Sequence, residues 1–123
     1  MLVIGGHGTP TSICLTDDHK ERNYIDIFDK NVLDCICNAL DKDNNPQIIL
    51  ESCSTGNKAT QNNIAKIISK NTGAEVFAPD LPTFVRNISF KIQNNKPRIQ
   101  SVEYRTINIE TRYKEGKLSN HTK

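Results

Sequence analysis

Apolar residues fall in short blocks separated by polar or glycine-rich breaks. Leu2-Val3-Ile4 is the first block, and Gly5-Gly6-His7-Gly8-Thr9-Pro10 follows at once. Three glycines and a proline in six residues require a tight loop, so the block predicts a short buried strand that ends there. Ser12–Leu15 predicts one short strand of a hairpin, and the polar stretch from Thr16 to Asn23 predicts a loop. Ile25, Phe28, Val32, Leu33, Ile36 and Leu40 recur at helical spacing and predict an amphipathic helix over Ile25–Leu40. After a turn at Asp41–Pro46, Gln47–Glu51 holds Ile48-Ile49-Leu50, too short for a helix and typical of a buried parallel strand. Ser52-Cys53-Ser54-Thr55-Gly56 is a loop. Ile64, Ala65, Ile67 and Ile68 predict a helix from Ala59 to Asn71, with Gly73 as its C-cap. Ala74–Ala78 is a third strand. The succession of strand, loop and helix predicts an α/β domain with a mainly parallel sheet. Beyond it, Phe84–Ile92 and Ile99–Ile109 alternate and predict strands, paired as a hairpin. The alternation puts Ile99, Ser101, Glu103, Arg105, Ile107 and Ile109 on one side and Gln100, Val102, Tyr104, Thr106 and Asn108 on the other. Residues 1–113 form the domain and 114–123 a solvated tail.

Composition narrows the function classes. A chain of 123 residues is one domain's worth. Lys and Arg number 16 against 14 acids, with no dense basic patch interleaved with aromatics, so nucleic acid is not an expected partner. No apolar run reaches membrane-spanning length, and the glycines after Ile4 leave no room for a signal-peptide core. The four cysteines, Cys14, Cys35, Cys37 and Cys53, form no CxxC pair and are too sparse for a disulfide scaffold. They read as free thiols in a reducing, cytoplasmic setting. No ligand cluster has metal spacing, so no metal or organic cofactor is expected.

Two segments place reactive side chains just beyond strands, which is where open α/β sheets bind ligands. One is Leu2-Val3-Ile4-Gly5-Gly6-His7-Gly8, the other Ile48-Ile49-Leu50-Glu51-Ser52-Cys53. If the two strands are parallel neighbours, His7 and Cys53 leave the sheet at the same edge. A thiolate is a strong nucleophile, and an imidazole beside it activates it and later returns a proton. The N–H groups of Gly8 and Cys53 are candidates for an oxyanion hole. The helix expected near Ala59 would add a weak dipole favouring the thiolate. Taken singly, His7 reads equally as a surface histidine and Cys53 as a buried thiol.

An apolar strand ending in His7-Gly8, then one ending in Glu51-Ser52-Cys53, resembles the caspase-like cysteine peptidase superfamily, which includes legumain, clostripain, gingipain, separase and the CHAT domains. The histidine of caspases precedes the cysteine by about 50 residues; here the two are 46 apart. Ser54-Thr55-Gly56 is closest to the separase and CHAT branches, and Asn71–Val76 is similar to the helix-to-strand segment of bacterial relatives. The resemblance covers roughly residues 1–80 and implies a caspase-like three-layer sandwich. It implies a cysteine endopeptidase with a Cys53–His7 dyad, acting on protein or peptide substrates. It also implies that Glu51 lines the pocket for the residue before the scissile bond, where an acid suits a basic or amide side chain. Asp80, just past the third strand, would join that rim. Asp17 and Asp18 lie in the loop after His7, near enough to contact substrate. The family sheet normally has strands and a helix before the histidine strand; their absence here implies either a fragment or one chain of a larger domain, with the sheet completed by an oligomer or a second chain. Two other readings stand beside this one: an inactive caspase-like scaffold or protein-binding domain, and an unrelated α/β domain.

Overall fold

The computed structural model describes residues 1–15, 24–41, 45–105 and 110–119. Ile48, Ile49 and Leu50 have no exposed surface, so β5 (Gln47–Glu51) lies inside a sheet covered on both faces. Each such side chain contributes about 1.5–3 kcal/mol relative to exposure. On one side β5 pairs with β1 (Leu2–Gly5) in parallel, from Leu2 opposite Ile48 to Gly5 opposite Glu51. On the other it pairs in parallel with β6 (Glu75–Pro79). The two strands that carry the candidate residues are therefore parallel neighbours. Beyond β6 the order continues with β9 (Glu110–Lys114) and β10 (Lys117–Leu118), both joined by antiparallel pairing. The five-stranded sheet is thus mixed, with two parallel and two antiparallel pairings where a mainly parallel one was expected.

Between β1 and β5 the chain builds a small antiparallel sheet from β2 (His7–Thr9), β3 (Ser12–Cys14) and β4 (Tyr24–Asp26). The predicted helix over Ile25–Leu40 is shorter than its periodicity implies: α1 spans Lys30–Ala39. Two aspartates stop it. The Asp26 carboxylate accepts the Phe28 N–H at 2.7 Å, and Asp29 accepts the Asp26 N–H at 2.8 Å. These local bonds favour a turn over helix. Ile25 fits the helical period because its strand delivers it to the same core as Leu33, while Phe28 stays exposed.

The second helix, α2 (Ile64–Thr72), also starts later than predicted. Asn63 sets the start: its side chain accepts the Lys66 N–H at 2.8 Å and donates to Asn57 O and to the Tyr113 hydroxyl. Ala59 lies instead in a turn, with its N–H on Asn57 Oδ1. Gly73 ends the helix as predicted, at φ 71°, a left-handed conformation that glycine adopts without steric cost.

Two clusters fill the two faces of the central sheet. One joins Ile4, Ile48, Leu50, Val76 and Ala78 to α1, α2 and the small sheet; the other joins Ile49 and Phe77 to Ile99, Val102 and Tyr104. The latter three belong to β8 (Lys96–Tyr104), which forms the predicted hairpin with β7 (Val85–Gln93). The predicted split of Ile99 from Val102 and Tyr104 fails for one reason. The register steps from Ser89 opposite Ser101 to Phe90 opposite Ile99, leaving Gln100 as an extra residue. Such a bulge moves Ile99 to the face of Val102 and Tyr104. Thr106, Ile107, Asn108 and Ile109 lie outside the described residues, as do Asp17 and Asp18. Of the segment read as a solvated tail, Lys114 closes β9, while Lys117–Leu118 forms the exposed strand β10. No described helix is long and apolar enough to cross a membrane.

Candidate active site

At their shared carboxyl ends, β1 and β5 lead into different structures. After Gly5 the chain passes through Gly6 into β2, an edge strand of the small sheet, and the Gly6 N–H donates to Glu51 O at 3.4 Å. After Glu51 the chain enters the Ser52–Gly56 turn. The two meet at Gly8. A Cβ placed on Gly8 would stand 2.5 Å from the Cys53 carbonyl oxygen, 2.7 Å from the Cys53 nitrogen and 2.8 Å from the Ser52 carbonyl carbon. Only glycine allows that approach. His7, the preceding residue, is exposed and stands opposite Cys14 in the β2–β3 ladder.

The Cys53 turn is tied down from several directions. The fully buried Thr55 hydroxyl donates to Ser52 O at 2.9 Å. The Gly56 N–H donates to Pro79 O, and the Ser54 N–H to Leu81 O at 3.4 Å. Ser54 has φ 60°, a conformation uncommon outside glycine and costing of order 1 kcal/mol or more. The surrounding bonds hold it there. Cys53 is half-buried, and its thiol donates to Thr83 O at 3.7 Å. The buried Ser52 hydroxyl has no hydrogen-bond partner among the described residues.

The loop after β6 was not recognisable from the sequence, yet it forms the second wall: Pro79, Leu81 and Thr83 all supply carbonyls to the Cys53 turn. Asp80 lies on this loop and accepts the Lys58 N–H at 2.8 Å, which fastens the outgoing arm of the turn. Glu51 is exposed at the end of β5. Behind it the fully buried Tyr104 donates to Leu50 O at 3.0 Å. Burial pushes the Tyr104 phenol far up, and the charges of Glu110 and Glu51 push it the same way, so it remains a hydrogen-bond donor at any ordinary pH. Tyr104 is a positioning residue, holding the strand end from which the Cys53 turn departs. The alternation of β8 flagged it as a strand residue but gave no sign of that contact. The Tyr113 phenol is also raised, by burial first; Asp80 adds to the shift and the Asn63 bond opposes it.

The late start of α2 removes the expected dipole contribution to Cys53. Its first N–H groups are already taken, Ile64 by Pro10 O at 2.8 Å and Ala65 by Thr55 O at 3.1 Å. The effect of a helix end is confined to its terminal turn. Among the described residues no group of three or more His, Cys, Asp or Glu side chains is placed to hold a metal ion.

Residues 1–96 match the family model described as Domain of unknown function (DUF8616). The chain belongs to this family. No curated protein and no solved structure matches it. The DUF8616 span includes His7, Gly8, Glu51, Cys53 and Asp80, together with β1, β5, β6 and the loop that supplies the Thr83 carbonyl. It ends at the start of β8, so Tyr104 and the sheet strands β9 and β10 lie beyond it.

Proposed function

We propose that this chain is a cysteine peptidase of caspase-like type, with Cys53 as nucleophile and His7 as its acid–base partner. The observation that carries the reading is the contact of the Gly8 backbone with the Cys53 backbone at the carboxyl ends of adjacent parallel strands. It supports a site in which two N–H groups, one from strand β2 and one from the Cys53 turn, face one substrate oxygen. The resemblance of His7-Gly8 and Glu51-Ser52-Cys53 to the superfamily's motifs supports the same assignment.

In this scheme the Cys53 thiol passes its proton to the His7 imidazole, and the thiolate attacks the scissile carbonyl carbon. The electron pair displaced onto oxygen is held by the N–H groups of Gly8 and Cys53. When the C–N bond breaks, the His7 imidazolium protonates the departing amine. Water then attacks the thioester, with His7 accepting its proton; the C–S bond breaks, the acid is released, and the His7 imidazolium returns the proton to the Cys53 thiolate. The exposed Glu51 carboxylate recognises a basic side chain before the scissile bond, and Asp80 acts through the loop it fastens. The site sits in a reducing, cytoplasmic compartment and acts on exposed protein or peptide segments.

A second reading, an inactive scaffold, draws on the thiol's bond to Thr83 O, which turns Cys53 toward its own wall. One experiment separates the two. Peptidyl acyloxymethyl ketones ending in lysine, leucine or aspartate are incubated with the chain, and adducts are located by peptide mapping. The enzyme assignment predicts an adduct confined to Cys53, fastest with lysine, and loss of that preference in Glu51→Gln. Modification of Cys35 and Cys37 at equal rates, with no preference among the peptides, would favour the scaffold.

A further inference from the structure

At the opposite end of the sheet from Cys53 lies a concavity of about 460 Å³. It opens where β5 and β6 begin, at Gln47 and Glu75, beneath the tip of the β7–β8 hairpin. Among the described residues its charged lining is mostly basic: Lys91, Lys96, Arg98, Arg112 and Lys114 beside the acid Glu75.

The floor is built and rigid. Gln47 is buried, donates to Glu75 Oε1 at 2.8 Å and to Ile99 O at 3.2 Å, and accepts the Ile99 N–H at 2.9 Å. Arg112 is held by Glu110 at 2.9 Å and by Gln100 O at 2.8 Å, with its guanidinium 4.6 Å from the Phe77 ring centre. Lys114 donates to the Gly73 carbonyl at 2.5 Å, a contact that anchors the ammonium without neutralising it.

The hairpin wall brings basic side chains together: Lys91 stands directly opposite Arg98, whose guanidinium also donates to Asn45 O. Like charges in a cross-strand pair repel, a ligand with several negative charges is attracted to both, and a concavity of this size matches small-ligand sites. The geometry points to a binding site for a small, multiply charged phosphate compound, separate from the Cys53 site. A long nucleic acid is less suited, since the charge lines a concavity rather than a stripe with exposed stacking aromatics.

The test is calorimetric titration of the full chain with sodium tripolyphosphate at physiological ionic strength. Three proteins are compared: wild type, Lys91→Gln/Lys96→Gln at the hairpin wall, and Lys58→Gln/Lys66→Gln away from the cavity. Both altered pairs are exposed or partly exposed surface side chains, and circular dichroism checks their folding. The expected result is saturable binding to wild type, weakened about tenfold in the Lys91/Lys96 variant by loss of two nearby charges, and unchanged in the other. No saturable binding to folded wild type would overturn the proposal. So would equal losses in both variants, which would mean a diffuse surface field, or tighter binding of a single-stranded oligonucleotide than of tripolyphosphate.

Discussion

Replacing Cys53 with alanine is expected to reduce peptide turnover by about 10⁴-fold or more while leaving the fold intact. The first part follows from the assigned role, because no other group in the scheme can form the acyl intermediate. The second follows from the structure. Cys53 is half-buried, and its single described side-chain bond is the S–H to Thr83 O at 3.7 Å. A weak thiol bond and one sulfur atom amount to about 1 kcal/mol. Turnover and the urea midpoint, measured on the same preparation, check both halves. Cys53→Ser is the control for volume. Wild-type turnover in Cys53→Ala would remove the residue from the reaction.

Gly8→Ala is expected to damage both stability and activity. The added methyl would lie 2.5–2.8 Å from three backbone atoms of the Cys53 turn, closer than side-chain carbons approach backbone. The neighbour is main chain, not the end of a flexible side chain, so either β2 or the Cys53 turn must move. Overpacking of this kind costs about 1–3 kcal/mol. The turn is also where the assigned nucleophile and one oxyanion donor sit, and displacements of about 1 Å at such positions cost about 10²-fold in rate. Denaturant unfolding gives the first quantity, and kcat/KM at a temperature where the variant is folded gives the second. A variant matching wild type in both would mean that the contact at Gly8 organises nothing.

The parts of the fold legible in the sequence are those where one physical requirement dominates. Ile48-Ile49-Leu50 could only be a strand covered on both faces, and Gly73 followed the last helical turn at the place a left-handed cap needs. The parts that were not legible involve competing local bonds or distant partners. Ile25 satisfied a helical period while Asp26 and Asp29 closed a turn beside it. The Gln100 bulge depends on the register with Ser89 and Phe90, which strand alternation does not encode. β9 was the hardest to read, because Glu110, Thr111 and Arg112 make a polar string. In the fold Glu110 and Thr111 are buried, and Arg112 is stacked on Phe77 and paired with Glu110.

The same division holds at the candidate site. The position of Cys53 followed from a strand end and its small-residue turn, whereas His7 and Gly8, read as part of a tight loop, lie in strand β2, which pairs with β3 as the other arm of the hairpin expected at Ser12–Leu15. The wall formed by Pro79, Leu81 and Thr83 acts through backbone carbonyls, which no side-chain motif announces. Tyr104 reaches Leu50 from more than fifty residues away along the chain, a distance no local pattern spans.

The central claim is that Cys53 and His7 work as a pair, and the rate of Cys53 alkylation against pH tests it most directly. Iodoacetamide labelling is followed by mass spectrometry at Cys53, with the exposed Cys35 as an internal reference, in wild type and in His7→Ala. The account predicts that near neutral pH wild-type Cys53 reacts at least about tenfold faster than Cys35. It also predicts that His7→Ala removes the advantage without altering Cys35. Superimposable Cys53 profiles in the two proteins, both tracking Cys35, would contradict it.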